Sequence, residues 1–280
     1  MKKALLIFVV MVLTVCAFTS VQAKGDRLEQ IKDKGYIEFC TEPYWAPNEF
    51  IDPNKTGDEQ YVGSDIELAK LIAEKLGVAL KINPLDFSAV LAGTATGKCD
   101  MAISAIAWSE ERSMAMRLSR GYYYEDDDAD DGYGFLVREE DADKYKTIED
   151  LADATVITQS GSVQEGYYNK FCGNAKEFKL VANMTDAYLA VANNKADVCI
   201  TAISSGRLYA EANGGLFIPD FKFDIDQEET GTVIAMPMDG TESLMEAVNG
   251  VIEEILESGQ YIEWKDYYEE YAKTLGLDNN

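Results

Sequence analysis

The sequence predicts an α/β protein of two lobes, and three observations support this fold class. Short apolar runs of strand length alternate with longer stretches of helical periodicity, which favours parallel-type sheets covered by helices. Residues 98–106 (KCDMAISAI) resemble residues 195–203 (KADVCITAI), which is typical of one structural plan used twice, although two strands of parallel sheets can also match by chance. A length of 280 residues suits two domains of ordinary size.

The chain begins with the features of an export signal. A basic pair at positions 2–3 precedes an apolar stretch over 4–15, and residues 21–23 form a small-residue cleavage site. We therefore expect a signal peptide over residues 1–23 and an extracytoplasmic mature protein, in the periplasm or at the cell surface. A lipid anchor at Cys16 is the less favoured alternative, because the valine before it is larger than the residue expected there.

Charge and composition exclude several partners and chemistries. The formal net charge is −25, and loss of the two lysines of the leader makes it −27, which argues against binding to nucleic acid or to an anionic membrane surface. The chain has no histidine, so Ser-His-Asp and Cys-His catalysis and histidine metal sites are excluded. We expect no cofactor and no metal.

Four cysteines follow the leader: Cys40, Cys99, Cys172 and Cys199. An exported chain with four cysteines could form two disulfides. However, Cys99 and Cys199 flank or lie in predicted buried strands, and the spacing matches no metal site. We therefore favour buried free thiols over disulfides.

The first predicted elements lead to a loop at the edge of a sheet. A helix is expected over residues 26–34 and a strand over 36–40. Residues 41–47 follow as a loop, because their two prolines stop further strand pairing. Ligands of α/β proteins bind at the carboxyl ends of strands, so Trp45 in this loop is a candidate aromatic wall, with packing inside the loop as the alternative.

A capping box and another strand complete the first unit. Ser64 and Glu67 have the capping-box spacing and predict the start of a helix that continues to residue 76, followed by a strand over 78–82. Phe87 lies at the entry of the next helix, where it would either contact a ligand or pack against that helix.

Residues 100–112 join a buried strand directly to a helix N-terminus. The apolar run 101–106 predicts the strand, and Ser109 followed by two glutamates predicts the helix start. Backbone N–H groups at a helix N-terminus attract anions, and Arg112 adds a guanidinium suited to a carboxylate. We therefore predict an anion-binding site at this junction.

The second half of the chain repeats the alternation after an acidic run. Residues 125–131 hold six carboxylates in seven positions. This run lacks the glycine and glutamate placement of a known calcium loop, so a solvated crossover is favoured over a calcium site. A Gly/Ser turn over 159–164 feeds a helix whose free amides form a second anion site. The other predicted elements are strands over 133–138, 154–158, 179–181 and within 228–236, and helices over 147–151, 186–194, 206–213, 242–258 and 264–275.

The repeat sets the expected domain organisation. Each lobe covers one copy, and the segment after residue 231 has no copy of its own. We expect lobe 1 over residues 24–131 and 232–280, and lobe 2 over 132–231. The chain would then cross twice between the lobes, which suits a hinge.

Four short motifs occur in a specific order: GSDIELA at 63–69, GKCD at 97–100, SEER at 109–112 and GSVQ at 161–164. Together they resemble the extracytoplasmic amino-acid-binding proteins of ABC importers, solute-binding protein family 3, over nearly all of the mature chain. The resemblance implies a two-lobed periplasmic-binding-protein fold that closes on an amino acid or a related carboxylate-bearing amine. It also implies a non-enzymatic, monomeric protein that delivers the ligand to an ABC permease in the membrane.

The resemblance assigns roles to single positions. In that family the arginine matching Arg112 pairs with the ligand's α-carboxylate, and the residue matching Ser162, with nearby amides, completes this site from the other lobe. The matches to Trp45 and Phe87 form walls around the ligand side chain. The other positions implied to line the site are Ser104, Ala105, Ala107, Gln159 and Gln164.

One position departs from the family pattern. The family usually places an aspartate, which holds the α-ammonium, five residues after the match to Asp197, and here that residue is Ala202. Glu42, in the loop beside Trp45, is the expected replacement, with Ser204 or Ser205 as weaker candidates. A ligand with a differently placed amine is therefore an open alternative to a standard α-amino acid.

Two other functions stay open at this point. Some proteins that resemble this family are prephenate or arogenate dehydratases, and Glu42 is the only obvious acid for such chemistry. A soluble ligand-sensing partner of a membrane receptor is the other alternative.

Overall fold

The computed structural model describes residues 25–124, 132–225 and 231–275, so the predicted leader with Cys16 and the acidic run 125–131 lie outside the described residues. Within these ranges no helix is long and apolar enough to cross a membrane. The helices are α1 Arg27–Lys34, α2 Ser64–Leu76, α3 Phe87–Ala95, α4 Glu110–Ala115, α5 Val163–Phe171, α6 Met184–Ala192, α7 Ile203–Asn213, α8 Glu242–Ser258 and α9 Gln260–Leu275. Short 3-10 helices span Gly57–Gln60, Glu139–Asp141 and Glu149–Asp153. The strands are β1 Tyr36–Thr41, β2 Tyr44–Trp45, β3 Glu49–Ile51, β4 Tyr61–Val62, β5 Ala79–Pro84, β6 Met101–Ala102, β7 Arg117–Leu118, β8 Tyr133–Arg138, β9 Thr155–Gln159, β10 Glu177–Val181, β11 Val198–Ala202, β12 Leu216–Phe217 and β13 Ala235–Met236.

Two five-stranded sheets share one pattern of strand directions, which confirms the predicted two-lobed α/β fold. Their strand orders are β5-β1-β6-β13-β7 and β10-β9-β11-β8-β12. In each sheet the first three strands are parallel, and the fourth strand runs antiparallel to both of its neighbours. The sheets are therefore mixed, each with a parallel half of three strands.

The sequence repeat marks equivalent strands of the two sheets. The strands β6 and β11 that carry it hold the third position in their sheets. Asp100 accepts the backbone N–H of Glu38 at 2.7 Å, and Asp197 accepts that of Thr155 at 2.8 Å. Each aspartate also pairs with an arginine. The recurring aspartate thus accepts a backbone N–H from the neighbouring parallel strand, β1 in one sheet and β9 in the other. This shared role explains why the aspartate recurs in register.

We use lobe 1 for the described residues 25–124 and 231–275, which contain the first five-stranded sheet and a small sheet of β2, β3 and β4, and lobe 2 for residues 132–225, which contain the second five-stranded sheet. Strand β13 lies between β6 and β7, so the return segment contributes to the first sheet. Helices α8 and α9 of that segment pack on α2. The crossing points near residues 131 and 231, and the hinge they would form, stay predictions.

Three local predictions need correction. Helix α2 begins at Ser64, but the Ser64 hydroxyl donates to Tyr261 at 3.2 Å and caps no helix N–H, so the capping box is wrong. The strand predicted to continue to residue 106 ends at Ala102, because Ala105 adopts a left-handed backbone with φ 44°. The predicted loop 41–47 contains strand β2, which pairs with β3 in a small antiparallel sheet.

The expectation of free thiols is wrong for one pair of cysteines. Cys40 and Cys99 form a disulfide, with Cα atoms 5.9 Å apart. Adjacent parallel strands bring them together, since Cys40 lies on β1 and Cys99 precedes β6. Cys172 and Cys199 are buried free thiols, as predicted. Burial raises the pKa of both thiols, that of Cys172 to about 11, which keeps them unreactive at neutral pH.

Candidate functional site

A cleft between the two lobes contains every residue that the sequence analysis assigned to a ligand site. Its cavity volume is about 210 Å³. Strand ends and helix N-termini of both lobes form its walls, as expected for ligand sites of α/β proteins. The predicted residues that line it are Glu42, Trp45, Phe87, Ser104, Ala105, Ala107, Arg112, Gln159, Ser162 and Gln164. Their binding of a ligand stays a prediction.

Arg112 spans the cleft from the first turn of α4. Ser109 caps this helix by accepting the N–H of Arg112 at 3.2 Å, as the sequence predicted. The guanidinium donates to the carbonyl of Ala107 at 2.6 Å in lobe 1 and to that of Gly161 at 2.9 Å in lobe 2. Two of its five N–H donors are thereby engaged, and the fork is held at the junction of the lobes.

The charge of Arg112 survives its burial. The side chain is only 8% exposed, and its guanidinium carbon lies 5.4 Å from the centre of the Phe87 ring. Burial lowers the pKa of Arg112 to about 10, while Tyr133, Tyr167 and Glu111 oppose this fall. The group therefore stays cationic at neutral pH, and a buried cation of this kind attracts an anionic ligand group.

The Gly/Ser turn of lobe 2 is more fully satisfied than the sequence indicated. Ser162 caps α5 by accepting the N–H of Glu165 at 3.2 Å, and its hydroxyl donates to the carbonyl of Gln159 at 2.7 Å. The Glu165 carboxylate accepts the N–H of Gly161 at 2.7 Å. A side chain of the same helix thus takes an amide that we expected to be free. This N–H belongs to the residue before the N-cap Ser162, so the contact is not the reciprocal bond of a capping box.

Glu42 joins the lobes at a second point. It follows β1, and its backbone N–H donates to Ser104 at 2.9 Å. The amide of Gln159, at the end of β9, donates to Oε1 of Glu42 at 2.8 Å across the cleft. Glu42 is 3% exposed, and its pKa is raised to about 7. Burial is the main cause; the charge of Asp86 also raises the pKa, and the hydrogen bond from Gln159 partly offsets the rise.

A network beneath the cleft holds the backbone of residues 104–107. Asp65 accepts the N–H of Ala105 at 2.8 Å and also receives the hydroxyls of Tyr122 and Tyr261 at 2.9 and 2.7 Å. These bonds fix the left-handed conformation of Ala105, which a non-glycine residue adopts only when its surroundings impose it. The network therefore positions the lobe 1 edge of the cleft.

Aromatic and polar side chains complete the walls. Trp45, on β2 of lobe 1, packs against two hydrophobic clusters of lobe 2. Phe87 begins α3 and is buried against Val90 and Ala102. Gln164, in the first turn of α5, is almost fully buried in the lobe 2 wall.

Comparison with known proteins identifies the family. The signature of the bacterial extracellular solute-binding proteins, family 3, matches residues 37–271. The chain belongs to this family. It is therefore a solute-binding protein, as the motifs predicted.

Two relatives are similar to this solute-binding protein over most of its length. The amino acid ABC transporter substrate-binding protein AbpA of Streptococcus pneumoniae, in a crystal structure bound to L-arginine, shares 30% identity with a TM-score of 0.77, and the match covers 90% of this chain and 99% of that one. The arginine-binding extracellular protein ArtP of Bacillus subtilis is 27% identical over 93% of this chain and 95% of its own.

An enzyme is also among the relatives. The cyclohexadienyl dehydratase of Pseudomonas aeruginosa is 24% identical over 70% of this chain and 70% of its own. The family scaffold is thus compatible with catalysis as well as with binding.

The sequence analysis missed several residues that line the cleft of the solute-binding protein. Glu49 is the first residue of β3, and Tyr133 is the first residue of β8. Lys265 and Glu269 belong to α9, and the aromatic spacing of this helix did not predict that one of its sides lines the cleft. Their position depends on how the helix packs in the folded protein. No group of acidic or cysteine residues in the described ranges could hold a metal ion.

Proposed function

We propose that this protein captures an amino acid or a related carboxylate-bearing amine between its lobes and delivers it to the permease of an ABC importer. The observation that carries the proposal is Arg112, a buried cation in the cleft wall that reaches backbone carbonyls of both lobes. A ligand carboxylate that replaces these carbonyl contacts would form charge-assisted bonds at the point where the lobes meet. Ligand binding and lobe closure would then be coupled.

The relatives support this ligand class. AbpA is described as bound to L-arginine, and ArtP is named as an arginine-binding protein. The acidic side chains Glu42 and Glu49 in the cleft are compatible with a ligand that also carries a positive charge. We therefore place basic amino acids and their derivatives first among the candidate ligands.

The remaining parts of the proposal concern location and partners. The leader features of residues 1–23 support export, and the family consists of extracellular proteins. We propose a monomer that works outside the cytoplasm, contacts a membrane permease and carries out no reaction.

Ligand screening on the Arg112 variants tests the binding proposal. Thermal-shift screening of amino acids, including arginine, ornithine, citrulline and methylated amines, should identify stabilising compounds. Calorimetry should then show that Arg112→Ala weakens binding of the best compound by about 100-fold or more, because a carboxylate loses its charged partner in a buried site.

The matched control is Arg120→Ala, which removes an arginine whose side chain is 47% exposed and pairs with Glu253 on the surface. This variant should bind like the wild type. Equal affinity of Arg112→Ala and the wild type would refute the assigned role of Arg112.

One observation favours a dehydratase as the second candidate function. A general acid works best with a pKa near the operating pH, and burial raises the pKa of Glu42 to about 7. Incubation with prephenate and arogenate should leave both substrates unchanged under the binding proposal. Turnover that disappears in Glu42→Gln would instead assign an enzyme.

A further inference from the structure

The charged side chains of the cleft are distributed unequally between the lobes. Among the described residues that line it, those of lobe 2 are all uncharged; they include Gln159, Ser162, Gln164 and Ala202. The charged side chains, Glu42, Glu49, Arg112, Lys265 and Glu269, all belong to lobe 1. Any cationic group of the ligand must therefore find its anionic partner on lobe 1.

Arg112 contacts lobe 2 at the Gly/Ser turn, where it donates to the carbonyl of Gly161 at 2.9 Å. Tyr133 lines the same cleft, and Ala202 is its direct strand partner in the antiparallel pair of β11 and β8. Ala202 also lines the cleft and is almost fully buried. The lobe 2 wall of the cleft thus has a methyl group at this position.

The acidic end of the cleft is distinct from the place where Arg112 contacts lobe 2. Gln159 donates to Oε1 of Glu42, whereas Arg112 donates to the carbonyl of Gly161. Beside Glu42, Glu49 is 0% exposed and accepts from Ser104 through Oε1. Burial and the neighbouring carboxyl of Asp65, with which Glu49 shares a hydrogen bond, raise the pKa of Glu49 well above its usual range.

The carboxyl of Glu42 can still accept a donor from a ligand, because Gln159 engages only its Oε1. An ammonium or guanidinium group supplies such a donor, and its positive charge favours the ionised form of Glu42. Trp45, which lines the same cleft, offers an aromatic face to the same cation.

These two places set a requirement on the shape of the ligand. An α-amino acid carries its ammonium only two bonds from its carboxylate, so Arg112 would hold that ammonium among neutral side chains. A buried ammonium without an anionic partner is costly. An amine or guanidinium at the other end of an aliphatic chain can instead pair with Glu42.

We propose that the cleft is built for a carboxylate with one cationic group at its far end, an ω-amino or ω-guanidino acid, and that it binds such a compound more tightly than the matching α-amino acid. This inference rests on the proposed function, since it assumes that Arg112 holds the carboxylate.

Three pairs of compounds that differ only by the α-ammonium test the inference. They are L-arginine with 5-guanidinopentanoate, L-ornithine with 5-aminopentanoate, and L-lysine with 6-aminohexanoate. Calorimetry on the full chain should show that the partner without the α-ammonium binds at least about tenfold more tightly in the best-bound pair. Equal or tighter binding of the α-amino acid would overturn the inference.

A matched pair of variants tests the position named above. Ala202 is the residue before α7, at its N-cap position. Both Ala202→Asp and Ala202→Asn can cap this helix, so both should fold. Only the aspartate adds an anion to the lobe 2 wall of the cleft, and it should shift the preference by about tenfold toward the α-amino acid, whereas asparagine should leave the preference near that of the wild type. An unchanged preference in Ala202→Asp would also overturn the inference.

The outcomes separate this inference from the proposed function. Binding of α-amino acids that is strong and depends on Arg112 would retain the proposed function and reject the inference. Failure of every compound of the three pairs to bind, or binding that Arg112→Ala does not weaken, would reject both.

Discussion

The disulfide between Cys40 and Cys99 should account for a large part of the stability of the protein. It joins β1 to the residues before β6 and closes a loop with a sequence separation of 59 residues. A cross-link removes loop-closure entropy from the unfolded chain, and for a loop of this length the chain-entropy relation gives about 4 kcal/mol. Most domains have a free energy of unfolding of only about 5 to 15 kcal/mol.

Urea unfolding of the oxidised and the reduced protein measures this contribution directly. Tryptophan fluorescence follows the transition, and mass spectrometry establishes the redox state of each sample. We expect reduction to lower the free energy of unfolding by about 3 to 4 kcal/mol and to increase the slope of the transition, because the reduced unfolded chain is less compact and exposes more surface.

The double variant Cys40→Ala/Cys99→Ala provides the control. Reductant should have no effect on it, because Cys172 and Cys199 are buried free thiols. Two results would refute the reasoning: oxidised and reduced wild type that unfold at the same urea concentration, or alkylation of all four cysteines in unreduced, denatured protein.

Two further predictions follow from single residues. Glu42→Gln should raise the free energy of unfolding by about 3 kcal/mol at pH 8 and by little at pH 4.5, as measured by urea unfolding at both pH values. The reason is that burial raises the pKa of Glu42 from 4.5 to about 7, so the folded state binds the proton more tightly and loses stability as the pH rises through this range; an equal gain at both pH values would contradict this. Gly63→Ala should cost about 2 kcal/mol or more in the same assay, because Gly63 has φ 130° and an added Cβ would lie 2.1 Å from the carbonyl oxygen of Asn48. The control is Gly250→Ala on the open face of α8, which should raise the free energy of unfolding by up to about 1 kcal/mol. Similar effects of the two substitutions would contradict the predicted clash at Gly63.

The anion site illustrates what local sequence patterns can predict. Ser109, the two glutamates after it and Arg112 lie within four positions, and their capping chemistry depends only on that spacing. The structure accordingly has the helix start where the sequence placed it. The turn at Ser162 shows the limit, because Glu165 accepts the N–H of Gly161 and not that of the N-cap residue Ser162, so spacing alone does not indicate that this amide is occupied.

The acidic end of the cleft could be predicted only in part. Glu42 follows a strand and so falls at the carboxyl edge of the sheet, which the sequence does indicate. Glu49 lies in a short antiparallel strand after a proline-rich turn, and its complete burial depends on Ser104 and on the packing of the small sheet. Nothing near Glu49 in the chain signals that environment.

The sequence by itself determined the alternation of strands and helices, the repeat with its two aspartates and the helix start at Ser109. These features depend on residues that are near one another in the chain. The tertiary structure decided the disulfide, with its separation of 59 residues, and the Glu42–Gln159 contact, with a separation of 117. Such pairs meet only because the strand order of a sheet and the approach of two lobes bring them together, and both depend on packing over the whole chain.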